Sequence, residues 1–114
     1  MRSKRLSELI VGVLDQFKAV DIRAIDVNGM TTITDFMIIA SGKSDRQVKA
    51  LADKVIEAAK EHGITPLGVE GQQEGDWVLV DLGDAVVHVM RPVVREFYQL
   101  EKLWTGHDQR RNAS

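Results

Sequence analysis

The sequence predicts an α/β fold: a mixed sheet of about five strands flanked by helices, in the order α-β-β-α-β-β-β-α. Three observations favour this class. Apolar residues recur at helical spacing in two separate segments, and the run DFMIIAS is apolar on both faces, as a central strand is. Three short apolar segments separated by glycine-containing turns follow the second helical pattern. A chain of 114 residues can bury one core of this kind.

The first helix is predicted over residues 5–19, because its apolar residues follow one face without a break. They are Leu6, Leu9, Ile10, Val13, Leu14 and Phe17. The next segment, DIRAIDV, alternates as a half-buried strand does, and Asn28-Gly29 after it is a strong turn pair. The run DFMIIAS then provides the second strand.

The second strand leads into Gly42-Lys43-Ser44, which matches the end of a phosphate-binding loop. Such a loop requires GxxxxGK[ST], and Met37 stands where its first glycine belongs. Ser44 and Gln47 instead fit a capping box, in which side chains satisfy free N–H groups at the start of a helix. The sequence therefore predicts a turn and a helix cap at this segment.

The second helix has its own apolar stripe and stops at Gly63, a favoured residue after a helix end. The stripe consists of Val48, Leu51, Ala52, Val55, Ile56 and Ala59. After the three short strands, Pro92 opens a last helix, in which one face is predicted to carry Val93, Phe97, Leu100 and Trp104. One domain is expected over residues 1–106, with a disordered tail at 107–114.

Composition excludes several classes of protein. Fifteen Lys plus Arg against seventeen Asp plus Glu give a formal charge of −2, which disfavours direct nucleic-acid binding. The chain has no cysteine, so a disulfide scaffold and a thiolate metal site are excluded. We expect no membrane association and a cytoplasmic location, since no segment has the length of a membrane span or the pattern of a signal peptide.

No set of residues predicts catalysis, a metal site or a cofactor. The three histidines, His62, His88 and His107, lack ligand spacing. Asp81 and Asp84 could suggest acid–base chemistry, but Gly83-Asp84 is better explained as a two-residue hairpin turn that Asp81 precedes.

That hairpin has two different faces. With Gly83-Asp84 as the turn, valine lies opposite valine on one face, which must be core. The other face pairs Trp77 with Met90, Leu79 with His88, and Asp81 with Val86. This mixture is typical neither of a solvent face nor of a core. Either a helix covers it and Trp77 is a residue of a second core, or it is a protein-binding patch anchored by Trp77.

The sequence resembles the ribosomal silencing factor family, the bacterial and organellar relatives of plant Iojap. The resemblance lies in the segments DI.A.DV...T.ITDFMIIASGKSDRQVKALADKV, P.G.EG...GDWVLVDLGDAVVHVM and REFYQLEKLW, in this order, from about residue 6 to residue 105. One departure is Leu82, where the family usually has tyrosine.

The resemblance implies a nucleotidyltransferase-like fold without enzymatic activity, and a repressor of translation under nutrient limitation. Members of the family bind protein fourteen of the large ribosomal subunit (uL14) and block joining of the small subunit. Resemblance and hairpin register together point to five partner-binding residues: Trp77, Leu79, Asp81, His88 and Met90.

Two further questions stay open at this point. One is whether the free protein forms a homodimer. The other is an alternative function, a residual nucleotide-binding or nucleotidyltransferase protein. A transferase would need paired acids on the strand after Gly42, and that strand offers only Glu70.

Overall fold

Five strands form one mixed sheet in the order β1-β2-β5-β4-β3 in the computed structural model, which describes residues 2–103. β2 and β5 are parallel and the other neighbours are antiparallel. The predicted fold class and element order are confirmed. The elements are α1 (Ser3–Gln16), β1 (Val20–Asp26), β2 (Phe36–Ser41), α2 (Asp45–Glu61), β3 (Gly68–Glu70), β4 (Trp77–Asp81), β5 (Ala85–Met90), α3 (Pro92–Tyr98) and a 3₁₀ turn (Leu100–Leu103).

Helices α1 and α2 pack against one face of the sheet, called the inner face, and form the first core with it. The two predicted helical stripes supply most of the helical side of this core, because their apolar residues recur on one face of each helix. On the sheet side, the first core contains Ile38, Ala40, Val78, Val80, Val87 and Val89.

The first helix ends earlier than predicted. α1 stops at Gln16, Phe17 is its C-cap residue, and Lys18 has a left-handed backbone with φ of 67°. The chain therefore turns away before Phe17 can join the buried stripe. The ring of Phe17 is partly exposed and lies 5.0 Å from Nζ of Lys54 on α2.

The start of α2 is capped as predicted. The N–H of Gln47 donates to Oγ of Ser44 over 3.1 Å, and Oε1 of Gln47 accepts from the N–H of Lys43 over 2.7 Å. Gly42 is required by close packing, because a Cβ there would lie 2.9 Å from both Cγ2 and the backbone nitrogen of Val48. This segment is thus a tightly packed entry to the helix.

The opposite face of the sheet, called the outer face, carries a smaller second core. Its buried residues are Ile25, Val27, Ile39 and Met90, and Met37, Trp77, Val94 and Leu100 pack against them. Val94 and Leu100 come from α3 and the 3₁₀ turn, so these short elements cover the Met90 end of the outer face.

The predicted apolar face of the last helix is wrong. Val93 and Phe97 are exposed, the latter to 80%, and the contacts with the sheet come from Val94 and Leu100. The physical reason is that α3 has seven residues and ends where Gln99 takes a left-handed backbone, with φ of 49°. The helical repeat therefore does not continue to Leu100. Trp104, like the predicted tail at 107–114, lies outside the described residues.

Arg95 on α3 is buried although it is charged, with 9% of its surface exposed. Its Nη1 donates to the carbonyl oxygen of Asp21 over 2.6 Å and to Oγ of Ser41 over 3.0 Å. Asp21 has a positive φ of 49°, beside an irregularity in the register of β1. Arg95 therefore fastens α3 to the irregular start of β1 and to the end of β2.

Candidate docking surface on the outer face of the hairpin

The β4–β5 hairpin has the predicted register. Trp77 pairs with Met90, Leu79 with His88, and Asp81 with Val86. The turn is closed by the N–H of Leu82, which donates to the carbonyl oxygen of Ala85 over 2.9 Å. Leu82, at the usual tyrosine position, is buried in the first core and does not belong to the outer face.

The five predicted site residues lie on the outer face at different depths. Trp77, Leu79 and Asp81 on β4 are half-buried, whereas His88 on β5 is 5% exposed and Met90 is 0% exposed. The expectation that Met90 touches a partner does not fit its complete burial. Helix α3 and the 3₁₀ turn close over that end of the face, and Met90 supports Trp77 from within the second core.

Trp77 combines the two roles that the sequence left as alternatives. Its indole packs against the second core and lies 5.1 Å from the ring of Tyr98, centroid to centroid. Its Nε1–H donates to Nδ1 of His88 over 2.9 Å. The rest of the side chain remains accessible, so Trp77 is a core residue on one side and a surface residue on the other.

His88 is neutral near pH 7. Burial lowers its pKa from 6.5 to about 4, because desolvation disfavours the charged imidazolium. Its Nδ1 accepts the hydrogen bond from Trp77, so the single proton of the neutral ring is on Nε2. The outer face of the hairpin therefore carries a neutral N–H donor at Nε2 of His88.

Acidic side chains border the apolar centre of the outer face. Asp81 is at the turn end, where its Oδ1 accepts from the N–H of Gly83 over 2.9 Å. Glu70 on the edge strand β3 lines a shallow depression of about 390 Å³ together with Gly71, Trp77 and Leu79.

Gly71 has φ of 86°, and a Cβ there would collide with the backbone carbonyl oxygen of Trp77. A glycine at this position therefore lets the chain pass close to β4.

Sequence reasoning missed the loop between β1 and β2. This loop contributes Thr31, Ile33 and Thr34 to a second cavity of about 290 Å³ on the outer face, which Leu79, Asp81 and His88 also line. Ile33 is 80% exposed at this cavity. The signal in the sequence is Ile33, an isoleucine among threonines between the Asn28-Gly29 turn and the strand run DFMIIAS, and the pattern there predicts neither an element nor a site.

Within residues 2–103, no group of three or more His, Asp or Glu side chains could hold a metal ion. None of the helices in this part of the chain is both long and apolar enough to cross a bilayer.

The chain matches known proteins along most of its length. Residues 1–114 match the family model described as "Ribosomal silencing factor during starvation". A Haemophilus influenzae protein named ribosomal silencing factor RsfS is 50% identical over 99 residues, which cover 87% of this chain and 97% of that protein. A crystal structure of a Chromobacterium violaceum protein is 46% identical, with a TM-score of 0.89 over 91% of this chain and 87% of the other. The chloroplastic protein Iojap of Zea mays is 32% identical over 89 residues, which are 78% of this chain and 39% of the longer plant protein.

Proposed function

We propose, since this chain belongs to the ribosomal silencing factor family, that it binds the large ribosomal subunit through its protein fourteen (uL14) and prevents the small subunit from joining. Translation regulation and association with the ribosome follow from the family. Our proposal goes further in four respects: the partner, the steric block, the action of the protein under nutrient limitation and its location in the cytoplasm.

The observation that carries this proposal is the position of Trp77. A half-buried tryptophan is held by a hydrogen bond to His88 and by Tyr98, so little side-chain entropy remains to be lost on binding. Tryptophans held in this way at the centre of an interface are frequent hot spots. We assign Trp77 the role of anchor.

The surroundings of Trp77 suit a basic protein partner. Leu79 extends the apolar centre, and Asp81 and Glu70 place carboxylates at its border. Complementary charge at the rim of an interface raises the association rate and selects partners of opposite sign. In this proposal Trp77, Leu79 and Asp81 make direct contact, while Met90 and His88 hold the indole in place from below.

A steric block requires that the protein be bound where the small subunit joins and that it be thicker than the gap between joined subunits. The described body measures 38 × 33 × 23 Å, so even its thinnest direction far exceeds the few ångströms that separate surfaces in contact. The proposal therefore requires no reaction and no cofactor from this chain.

The alternative is a residual nucleotide-binding or nucleotidyltransferase protein acting at Gly42-Lys43-Ser44. Three contacts speak against it. Gly42 lies against Val48, the N–H of Lys43 already donates to Oε1 of Gln47, and the N–H of Gln47 already donates to Oγ of Ser44. A phosphate at this segment would have to displace both hydrogen bonds. We therefore propose that this segment is structural and that the protein is not an enzyme.

Co-sedimentation with purified large subunits tests the proposal. The unmodified protein should sediment with large subunits and should reduce formation of joined ribosomes when small subunits are added. Trp77→Ala should lose both effects, whereas Phe17→Ala, which removes a partly exposed aromatic ring on the inner-face side, should retain them. Normal blocking by a folded Trp77→Ala variant would refute this choice of surface.

A further inference from the structure

The cavity beside Leu79 is bounded by the hairpin on one side and by the β1–β2 loop on the other. Its walls are mainly apolar in area and are formed by Thr31, Ile33, Thr34, Met37, Leu79, Asp81, Val86 and His88. The hydroxyl of Thr34 is already used, because it donates to the carbonyl oxygen of Phe36 over 3.3 Å. Oδ1 of Asp81 accepts from the N–H of Gly83, and Oγ1 of Thr31 accepts from the N–H of Ile33. His88 is therefore the buried wall residue that offers a ring N–H donor to an occupant.

The Nε2–H of His88 is a donor that opens into this cavity. Nδ1 is taken by Trp77, and Nε2 has no hydrogen-bond partner among the residues that the structure describes. In that same part of the chain, no side-chain nitrogen or oxygen is both sealed from solvent and without a partner, so Nε2 must reach open space. His88 is 95% buried, and the open space that it lines is this cavity.

The size and chemistry of the cavity define its occupant. About 290 Å³ falls just below the range of about 300–1,000 Å³ that holds drug-sized ligands, and suits one or two side chains. The apolar side chains that dominate the lining call for an apolar group, and the buried Nε2–H of His88 calls for one acceptor close to it. An apolar side chain with its own main-chain carbonyl supplies both.

The loop at the mouth of the cavity is preformed. Nδ2 of Asn28 donates to Oδ1 of Asp35 over 2.8 Å, and the N–H groups of Asp35 and Phe36 both donate to the carbonyl oxygen of Asp84 in the hairpin turn. These bonds tie the loop to the hairpin and keep Ile33 exposed at the mouth. An occupant would not have to order this loop on binding.

We propose that this cavity receives an apolar side chain of the large-subunit protein, and that the adjoining main-chain carbonyl accepts a hydrogen bond from Nε2 of His88. This inference rests on the proposed function, because the cavity shares Leu79 with the depression beside Trp77 and continues the same surface. It adds Ile33 as a contact residue and makes His88 a specificity determinant as well as a support.

Two pairs of matched variants test the cavity, with affinity for purified uL14 measured by calorimetry. Ile33→Asp should weaken binding about tenfold or more, since it places a charge where an apolar group must pack. Thr32→Asp is the control, because it adds the same charge at the adjacent exposed residue, which does not line the cavity. Ile33 and Thr32 are both exposed, so both variants should fold.

The second pair separates the two nitrogens of His88. His88→Asn can still accept from Trp77 near the Nδ1 position but lacks a donor at Nε2, and it should bind about tenfold more weakly. His88→Gln can place an amide donor near the Nε2 position and should stay closer to the affinity of the unmodified protein.

The outcomes distinguish this inference from the proposed function. If Trp77→Ala loses binding while Ile33→Asp binds normally, the docking surface is right and the cavity is empty in the complex. Equal losses for Ile33→Asp and Thr32→Asp would also overturn the cavity, because the charge alone would explain them. If Trp77→Ala and Ile33→Asp both bind normally, the docking surface itself is wrong and the cavity inference falls with it.

Discussion

The indole Nε1–H of Trp77 donates to Nδ1 of His88 across the two strands of the hairpin, over 2.9 Å. The two residues are diagonal neighbours, because Trp77 pairs with Met90 and His88 pairs with Leu79. The bond fixes the indole against the sheet and also determines which nitrogen of His88 carries the proton. A surface residue and a buried residue are thereby joined into one unit.

Variants of Trp77 should separate packing from binding. Trp77→Phe keeps an aromatic ring but leaves Nδ1 of His88 without its donor, so the free energy of unfolding should fall by about 1–3 kcal/mol. Trp77→Ala should cost roughly 2–3 kcal/mol, less than for a fully buried tryptophan, because part of the side chain is already exposed. Urea denaturation followed by circular dichroism measures both values.

The docking proposal adds an expectation for affinity. The binding free energy of folded Trp77→Ala should be weaker by about 2 kcal/mol or more, since a hot-spot anchor is lost. The fold should survive on the first core, in which Val78, Val80, Val87 and Val89 are fully buried. Complete unfolding of Trp77→Ala would mean that its part in the second core outweighs any part at the surface.

Local patterns in the sequence predicted the hairpin well. The turn pair Gly83-Asp84 and the alternation around it determine the register, because a slip by one residue would move the valines out of the first core. The same kind of local signal predicted the cap at Ser44, which depends on a residue only three positions away.

Features that depend on distant residues were predicted only as alternatives or not at all. Met90 is buried because α3 and the 3₁₀ turn cover that end of the outer face, and the sequence had offered a covering helix as one of two alternatives without deciding between them. Arg95 is buried because it meets the carbonyl oxygen of Asp21, which is 74 residues away. Ile33 lines the candidate site because the fold places the β1–β2 loop beside the hairpin, and no local pattern around Ile33 indicates that neighbour.

Burial of neutral His88 should make the protein less stable in mild acid. The pKa of His88 is about 4 in the folded protein and near 6.5 when unfolded, so between these values the unfolded state binds more protons. The contribution of neutral His88 to the free energy of unfolding is therefore complete above pH 6.5. It is lost as the pH falls towards 4, and the loss is about 3 kcal/mol at most.

Urea midpoints measured between pH 4 and pH 7.5 check this dependence. Carboxylates contribute in the same range, so the unmodified protein should be compared with His88→Gln, which removes the titrating imidazole; the loss of the acceptor for Trp77 is a constant offset between the two proteins. The difference between the two proteins should grow as the pH rises from 4 to 6.5. A constant difference would contradict the assigned pKa.

The cap of α2 should be worth about 1 kcal/mol. Ser44→Ala removes the oxygen that accepts from the N–H of Gln47, and this loss should lower the melting temperature without abolishing ribosome binding. Ser44→Asp is the matched control, because aspartate is also a good N-cap residue. An unchanged melting curve for Ser44→Ala would mean that the bond contributes nothing to stability.

Lys43 should be dispensable. Its side chain is exposed next to the capped start of α2, a segment that we propose to be structural. Lys43→Ala should therefore sediment with large subunits as well as the unmodified protein does, and titration of either protein with ATP and Mg²⁺ should produce no binding heat. ATP binding that disappears in Lys43→Ala together with subunit binding would support the nucleotide-binding alternative.

Asp81 should act mainly on the rate of association. A carboxylate at the rim attracts a basic partner before contact, so Asp81→Lys should slow association, by about two- to tenfold at low salt and by less at high salt. The substitution also removes the acceptor for the N–H of Gly83, and this loss alone could loosen the turn. Asp81→Asn separates the two effects, because its amide oxygen can keep that bond while the charge is gone.

Stopped-flow association with uL14 at several salt concentrations provides the rates. Asp53→Lys on α2, exposed on the opposite side of the sheet, is the charge-matched control. If Asp81→Lys and Asp53→Lys slow association equally at every salt concentration, net charge explains the effect and Asp81 has no specific place in the docking surface.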